Sequence, residues 1–264
     1  MFYSAPVLRH AAVTVAVLLV FAPCSARAAG RRARPLFEPT DLELEDAGTI
    51  ELDLQTGFVQ SDGPARLVIP DLELDIGLGR AIELDVDAAY AIEGPQTGPF
   101  SLDHSAPDSL WGSAKLGLFS VDGDAGGMGL GLQAGPKIPV AAGSHGLGAE
   151  ALILIGLRRG RTHAVLDLGV FVDPAPEAGA ARPRGLEGGI DLDIDLDRAG
   201  HWSLTAELGA VHFLSPDPHQ LVSTAGVAWA PTERLELSVV ALAGLLATGD
   251  RYGLLFGVSP KFRL

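Results

Sequence analysis

The densest set of reactive side chains in this sequence is a run of carboxylates at every second position. In the segment 191–197, aspartate alternates with leucine or isoleucine. Carboxylate oxygens are ligands for Ca²⁺, but an EF-hand loop needs glycine at its sixth position and glutamate at its twelfth. Counted from Asp191, those positions hold Leu196 and Trp202, so the segment does not match and no metal site is predicted. The alternation instead indicates a β-strand with one carboxylate-bearing face.

The other motifs with chemical potential lack the context that their chemistry needs. The segment 129–134 resembles a glycine-rich dinucleotide loop, but Gly135 and Pro136 follow it and prevent the helix that such a loop must open. Ser144 and His145 lie in a glycine-rich segment, and the sequence has neither the G-x-S-x-G motif nor the H-E-x-x-H motif. We therefore predict no catalytic residue and no cofactor, and we expect that the protein is not an enzyme.

From Thr49 onward, apolar and polar residues alternate with a period of two. Ile50, Leu52 and Leu54 fall on one face of the first segment, and Glu51 falls on the other. An α-helix would scatter these residues around its axis, because its period is 3.6. The pattern predicts about twelve strands, at 50–58, 71–78, 82–90, 111–119, 128–137, 150–157, 164–172, 190–196, 202–208, 222–230, 235–244 and 252–264.

The connections between these strands alternate in length along the chain. Short connections are predicted at 79–81, 122–124, 159–161, 197–201 and 231–233. Longer ones are predicted at 60–65, 91–110, 138–149, 173–184 and 214–221, with a shorter one at 245–251. Membrane barrels have short periplasmic turns at one end and longer extracellular loops at the other. Both termini would then lie on the periplasmic side, which requires an even number of strands.

Composition and the N-terminus indicate an exported membrane protein. Apolar residues make up 47% of the 264 residues, yet after the N-terminal segment there is no uninterrupted apolar run of roughly 18 residues, as a membrane helix needs. Residues 11–22 form a short apolar core, Pro23 interrupts it, and cleavage after Ala28 would remove Cys24, the only cysteine. We predict a signal peptide at 1–28, an N-terminal periplasmic lead at 29–48 and a transmembrane β-barrel at 49–264.

The alternation is compatible with two all-β folds. In a soluble secreted β-sandwich, the apolar face would be the core, whereas in an antiparallel transmembrane β-barrel it would contact lipid. The signal peptide, the smooth apolar faces and the last strand, where Tyr252, Leu254 and Phe256 share one face, favour the barrel. Ten aromatic residues near strand ends, Trp111 and Phe171 among them, would form a thin interfacial girdle.

The barrel interpretation places an acidic face around the lumen. Acidic residues outnumber basic ones 33 to 19, which also argues against a nucleic-acid partner. The charges could pair and merely solvate the interior, or they could attract cations and exclude anions. The predicted lumen-lining residues are Glu51, Asp53, Glu73, Asp75, Glu83, Asp85, Asp87, Lys115, Asp167, Glu187, Asp191, Asp193, Asp195, Glu207, Glu236 and Lys261.

Three segments together resemble a known family. GRAIELDVDAAYAIEG (79–94), LWGSAKLGLF (110–119) and GLGLQAGPKIPVAAGSHGLG (129–148) are similar to the outer-membrane barrels named for the MetA pathway of phenol degradation. The similarity continues over most of the chain after the signal peptide. It implies an outer-membrane channel or transporter for small hydrophobic or aromatic compounds, and it implies no catalytic residue.

Two functions remain open at this point besides the soluble sandwich. One is a passive channel for small molecules, with a preference for cations through the acidic lumen. The other is a closed barrel that serves as a surface scaffold or adhesin through its loops at 91–110 and 173–184. The expected partners are outer-membrane lipids, a small solute and the barrel-assembly machinery, which would recognise the C-terminal strand.

Overall fold

The computed structural model describes residues 44–61, 65–79, 81–93, 103–104, 109–123, 126–140, 143–217, 219–246 and 250–264. The predicted signal peptide and residues 29–43 of the predicted lead lie outside these ranges. Among the described residues, no helix is long and apolar enough to cross a bilayer.

The described chain is built from β-strands. Twelve of them are 10 to 15 residues long, which exceeds or matches the roughly 9–11 residues that a tilted strand needs to cross a membrane. The strands are β1 (Thr49–Ser61), β2 (Ala65–Gly77), β3 (Ile82–Glu93), the two-residue β4 (Asp103–His104), β5 (Ser109–Gly123), β6 (Gly126–Pro139), β7 (Gly148–Arg159), β8 (Thr162–Val172), β9 (Arg184–Asp195), β10 (Trp202–Phe213), β11 (Gln220–Thr232), β12 (Leu235–Gly244) and β13 (Asp250–Arg263).

The long strands form one closed antiparallel barrel. Each long strand pairs with the long strands before and after it in the chain, and β1 also pairs with β13, from Thr49 opposite Arg263 to Ser61 opposite Asp250. The short β4 adds only two pairs at the end of β3. Closure satisfies the backbone hydrogen bonds of every long strand, so that none is left as a free edge. The predicted antiparallel barrel of twelve strands is confirmed.

The two faces of the wall differ as the alternation predicts. In β7, Glu150, Leu152 and Leu154 are buried, whereas Ala149 and Ile153 are exposed. The exposed residues of the other long strands are mainly leucine, isoleucine, valine and aromatic residues. Because neighbouring side chains in a strand point to opposite sides, the buried set faces the interior and the apolar exposed set covers the outside of the barrel.

Two strands begin six residues earlier than predicted, and one was missed. β2 begins at Ala65 rather than at Asp71, and β9 begins at Arg184 rather than at Ile190. Pro70 and the glycines at 185, 188 and 189 interrupt the alternation there. Backbone pairing continues through the glycines, and at Pro70 it resumes after a register shift. The two-residue β4 falls in a segment that was predicted as a loop.

The two ends of the barrel differ in their connections. We call the end at which β2 is followed by β3, β5 by β6, β7 by β8, β9 by β10 and β11 by β12 the turn end; Thr49 and Arg263 also lie there. The loop end is the opposite one, at which β1 is followed by β2, β3 by β5, β6 by β7, β8 by β9, β10 by β11 and β12 by β13. Counted from the strand bounds, the predicted alternation of short and long connections holds from β3 to β9. It fails between β1 and β2, where three residues connect the strands against four in the next turn, and the connections 196–201 and 214–219 have equal length.

The aromatic residues do not all lie on the outer face. Trp202 and Trp229 are exposed on the outer face, as an interfacial girdle requires, and their rings stack with centroids 5.6 Å apart. Trp111 pairs with Asp87 and Lys137 in the ladder and therefore faces inward, and Phe171 is 7% exposed. Phe213 lies opposite Gly185 in the same row as Phe171 and contacts its ring edge-on, so it also faces inward. The prediction of a girdle position is wrong for these three residues, because proximity to a strand end does not determine which face a side chain takes.

A close approach between β5 and β6 requires glycine at position 135. A Cβ atom added to Gly135 would overlap the backbone of Gly112 and Ser113, whereas a Cβ atom on Gly112 would meet no atom within 4 Å. We therefore expect Gly135→Ala to lower the free energy of unfolding by about 1–3 kcal/mol, the usual cost of overpacking. Gly112→Ala is the matched control. Urea unfolding of both variants in detergent tests this prediction, and equal stability of the two would contradict it.

Candidate functional site

Strand pairing gathers the carboxylates of β1, β2 and β3 on one part of the inner face. Asp75 lies opposite both Glu51 and Asp85 in the ladder, and Glu73 lies opposite Asp53 and Asp87. Residues directly opposite one another in an antiparallel pair point to the same side of the sheet. We call Glu51, Asp53, Glu73, Asp75, Glu83 and Asp85, together with Lys115, the turn-end cluster.

Lys115 lies at the centre of the turn-end cluster. Its side chain is 2% exposed, and its Nζ lies 3.0 Å from Glu83 Oε1 and 3.8 Å from Asp85 Oδ2. The Ser113 hydroxyl and the Gln133 amide donate to Asp85 Oδ2 at 2.9 Å and 2.7 Å. One buried ammonium group thus contacts two carboxylates of β3, and it balances only part of their charge.

The residues before β1 close over this cluster at the turn end. The backbone N–H of Glu45 donates to Glu83 Oε2 at 2.5 Å, and Lys261 Nζ lies 2.6 Å from both Glu45 Oε1 and Glu51 Oε2. Leu44 and Glu45 are each 2% exposed. The last residues of the predicted lead therefore pack inside the barrel mouth, a contact that the sequence analysis missed because these residues show no regular pattern.

A second group of acidic residues follows β9 and β10. Asp191 pairs with Glu207 in the ladder, and Asp193 pairs with Thr205. His163 of β8 lies opposite Asp193, and its Nε2 is 3.8 Å from Asp195 Oδ2. The β9 carboxylates therefore share the inner face, and the alternation in 191–197 had predicted this arrangement. We call Asp191, Asp193, Asp195 and Glu207 the acidic arc.

A third polar group holds two loops together at the loop end. Lys137 Nζ forms ion pairs with Glu150 and Asp173, the second at 3.0 Å, and lies 5.3 Å from the ring centroid of Phe171. Arg182 donates to the carbonyl oxygens of Asp173 and Leu147 at 2.9 Å and 2.5 Å. These contacts attach the connection at 173–183 to the connection at 140–147.

Ser144 and His145 belong to the same packing. The Ser144 hydroxyl donates to the carbonyl oxygen of Ala175 at 3.1 Å, and the backbone of His145 exchanges two hydrogen bonds with that of Ala175. Both residues therefore have a structural contact with the neighbouring loop.

The inner face also has an apolar patch that the sequence analysis did not identify. Leu154 and Val165 are fully buried, and Leu152 and Phe171 are nearly so. Leu154 pairs with Asp167 and Leu152 pairs with Gln133, so they lie on the polar side of the wall. Leu152 and Leu154 lie two and four residues after Glu150, which places them on the same face as this carboxylate. Because β7 is apolar on both faces, the pattern alone did not show which of its leucines face inward.

The predicted lumen residues differ in their exposure. All of them lie in long strands, and most belong to the turn-end cluster or to the acidic arc. Glu51, Asp75, Glu83, Asp85, Lys115 and Asp191 are buried; Asp53, Glu73, Asp87, Asp167, Glu187, Asp193, Asp195, Glu236 and Lys261 are half-buried; Glu207 is exposed.

This architecture is that of an outer-membrane β-barrel. The chain is similar to the solved structure of an outer membrane channel from Pseudomonas putida F1, with 12% identity and a TM-score of 0.58 over 85% of this chain and 99% of that one. It is also similar to the NanC porin, with 6% identity and a TM-score of 0.55 over 81% of this chain and all of that one. At these identities the likeness establishes the fold alone.

Comparison of the sequence itself gives no further assignment. No family model matches the chain, and no curated protein matches it. The resemblance to the barrels named for the MetA pathway is therefore not confirmed.

Proposed function

We propose that this protein is a passive outer-membrane channel for small molecules that prefers cations. The observation that carries the proposal is the acidic inner face, formed by the turn-end cluster and the acidic arc. The described inner face also carries basic side chains, such as Lys115, Lys137 and Lys261, and each of these three contacts carboxylates. The remaining negative charge favours cations along the axis.

Physical reasons support selectivity by charge in this geometry. A ring of carboxylates in a water-filled pore raises the local concentration of cations and lowers that of anions. The field is focused because the surrounding wall and lipid have a low dielectric constant. The apolar patch around Leu152 and Leu154 suits solutes that carry an apolar group beside a positive charge.

The fold supports an outer-membrane location as part of the proposal. The turn end would face the periplasm and the loop end the outside of the cell, as in other membrane barrels. The exposed apolar face would contact lipid, and β13 would be the strand that the barrel-assembly machinery recognises. The solute would enter and leave by diffusion, so the proposal requires no catalytic residue.

Neutralising two residues of the acidic arc tests the proposed selectivity. In planar bilayers under a tenfold KCl gradient, a perfectly cation-selective pore has a reversal potential of about 59 mV. We expect the wild-type potential to have the cation-selective sign and the variant Asp193→Asn/Asp195→Asn to shift it toward the anion-selective sign. The control Glu177→Gln/Glu233→Gln removes two exposed charges from connections. An equal shift in both variants, or none in either, would contradict the role of the arc.

A closed barrel without transport is the second candidate. Leu44 and Glu45 pack at the turn end, and the Lys137 contacts join two connections at the loop end. Both sets of contacts place side chains at an opening of the lumen, which favours a closed barrel. In that case the reconstituted protein would not conduct, and the connection at 173–183 would remain accessible to protease on whole cells. Conductance above the lipid background would exclude this candidate.

A further inference from the structure

Three oxygen atoms in the turn-end cluster and beside it are buried without a donor. Asp75 Oδ1, Asp85 Oδ1 and Gln133 Oε1 accept no hydrogen bond within the part of the chain that the structure describes. Asp75 is 5% exposed, and the other two residues are 2% exposed. All three atoms are acceptors. Burial of an unsatisfied polar atom is unfavourable, and more so for a charged group, so the arrangement requires a donor or a cation.

Asp75 also lies where two sets of carboxylates converge. One oxygen each from Asp75, Glu83 and Asp85 lie within 4.8 Å of one another, and the same holds for Asp53, Glu73 and Asp75. Ca²⁺ binds oxygen ligands at about 2.3–2.6 Å, so two ligands of one ion lie at most about 5 Å apart. The oxygens of the first set are therefore close enough to share one ion.

The neighbouring basic side chains do not neutralise all the carboxylates around Asp75, Glu83 and Asp85. Lys115 contacts Glu83 and Asp85, and Lys261 contacts Glu45 and Glu51. Asp53, Glu73 and Asp75 add further carboxylates within the same cluster. Neither histidine nor cysteine takes part in either set, so the donors are hard oxygens of the type that Ca²⁺ prefers.

We propose that Asp75, Glu83 and Asp85 bind a divalent cation of the calcium type inside the turn end of the barrel. Gln133 lies beside them and holds Asp85 in place through its amide N–H. A proton shared between two carboxylates would supply a single donor, whereas one cation satisfies several acceptors at once. The sequence could not indicate this site, because its ligands come from two strands and no loop motif encloses them.

The site also connects the cation to the residues before β1. Glu83 accepts the backbone N–H of Glu45 through the carboxylate that would bind the ion. A bound cation would fix Glu83 in place and so strengthen the closure of the turn end. The proposal concerns ion binding and is independent of whether the barrel conducts.

Calorimetric titration of the purified full-length barrel in detergent tests the proposal. After removal of divalent ions with EDTA, the protein is dialysed into 0.15 M KCl, where diffuse charge attraction is screened, and titrated with CaCl₂. We expect one saturable site with a Kd on the order of 10⁻⁵–10⁻³ M. Asp75→Asn is expected to weaken binding at least tenfold. Asp193→Asn in the acidic arc removes the same charge and is expected to leave the Kd within about twofold.

Thermal unfolding separates lost binding from a lost fold. We expect Ca²⁺ to raise the unfolding temperature of the wild type and of Asp193→Asn, but not that of Asp75→Asn. In EDTA, Asp75→Asn should be at least as stable as the wild type, because it removes a buried unpaired charge. If Ca²⁺ neither binds nor stabilises the wild type, the proposal is wrong, and a more stable Asp75→Asn variant in EDTA would then indicate that the cluster holds a proton instead. Equal loss of binding in Asp75→Asn and Asp193→Asn would also overturn it.

Discussion

Replacing Lys115 with methionine is expected to lower the free energy of unfolding of the barrel by about 3–5 kcal/mol. The Lys115 side chain is 2% exposed, and its ammonium group lies 3.0 Å from the fully buried Glu83 and 3.8 Å from Asp85. Methionine has a similar length but leaves both carboxylates buried without their cation. Urea unfolding in detergent with EDTA present, followed by tryptophan fluorescence, measures the effect.

Two comparisons isolate the buried charge as the cause. Arg234→Met removes a positive charge from an exposed turn and is expected to change stability by less than about 0.5 kcal/mol. The double variant Glu83→Gln/Lys115→Met is expected to recover part of the loss, because it removes one of the uncompensated carboxylates. A Lys115→Met variant as stable as Arg234→Met would contradict this account of the turn-end cluster.

Placing arginine at Leu208 is expected to destabilise the barrel by about 2–4 kcal/mol, the cost of a charge at the bilayer midplane. Leu208 lies near the middle of β10, and its side chain is on the exposed apolar face. The preceding residue, Glu207, has the opposite orientation and pairs with Asp191 on the acidic arc. The two neighbouring positions therefore test the two faces of one strand.

Glu207→Arg is the matched control for the Leu208→Arg variant. It introduces the same side chain one residue away, among carboxylates that can pair with it, and we expect it to fold as the wild type does. Folding yield into liposomes and unfolding in urea compare the two variants. If Glu207→Arg were the more damaging substitution, the assignment of the two faces would have to be reversed.

The faces of the strands could be predicted because their cause is local. A period of two assigns each residue to one side once its neighbours are known, and β1, β3 and β10 show this plainly. The turns between strands were likewise visible as short polar or glycine-rich segments. The prediction of a closed barrel then followed from the number of strands and from the expected position of both termini at the same end.

The contacts inside the barrel could not be predicted, because they depend on register between distant strands. Glu83 and Lys115 are opposite one another only because β3 and β5 pair with this particular alignment. The contact of Glu45 with Lys261 joins residues at the two ends of the described chain. Leu152 and Leu154 were ambiguous for a different reason, since β7 is apolar on both faces.

Quenching of tryptophan emission by brominated phospholipids tests most directly which face of the barrel contacts lipid. The protein has three tryptophans, and each can be kept alone in a variant whose other two are phenylalanine. The exposed Trp202 and Trp229 should be strongly quenched in liposomes of brominated lipid, whereas the inward-facing Trp111 should keep most of its emission. Strong quenching of Trp111 with little quenching of the other two, or no quenching of any, would contradict the account.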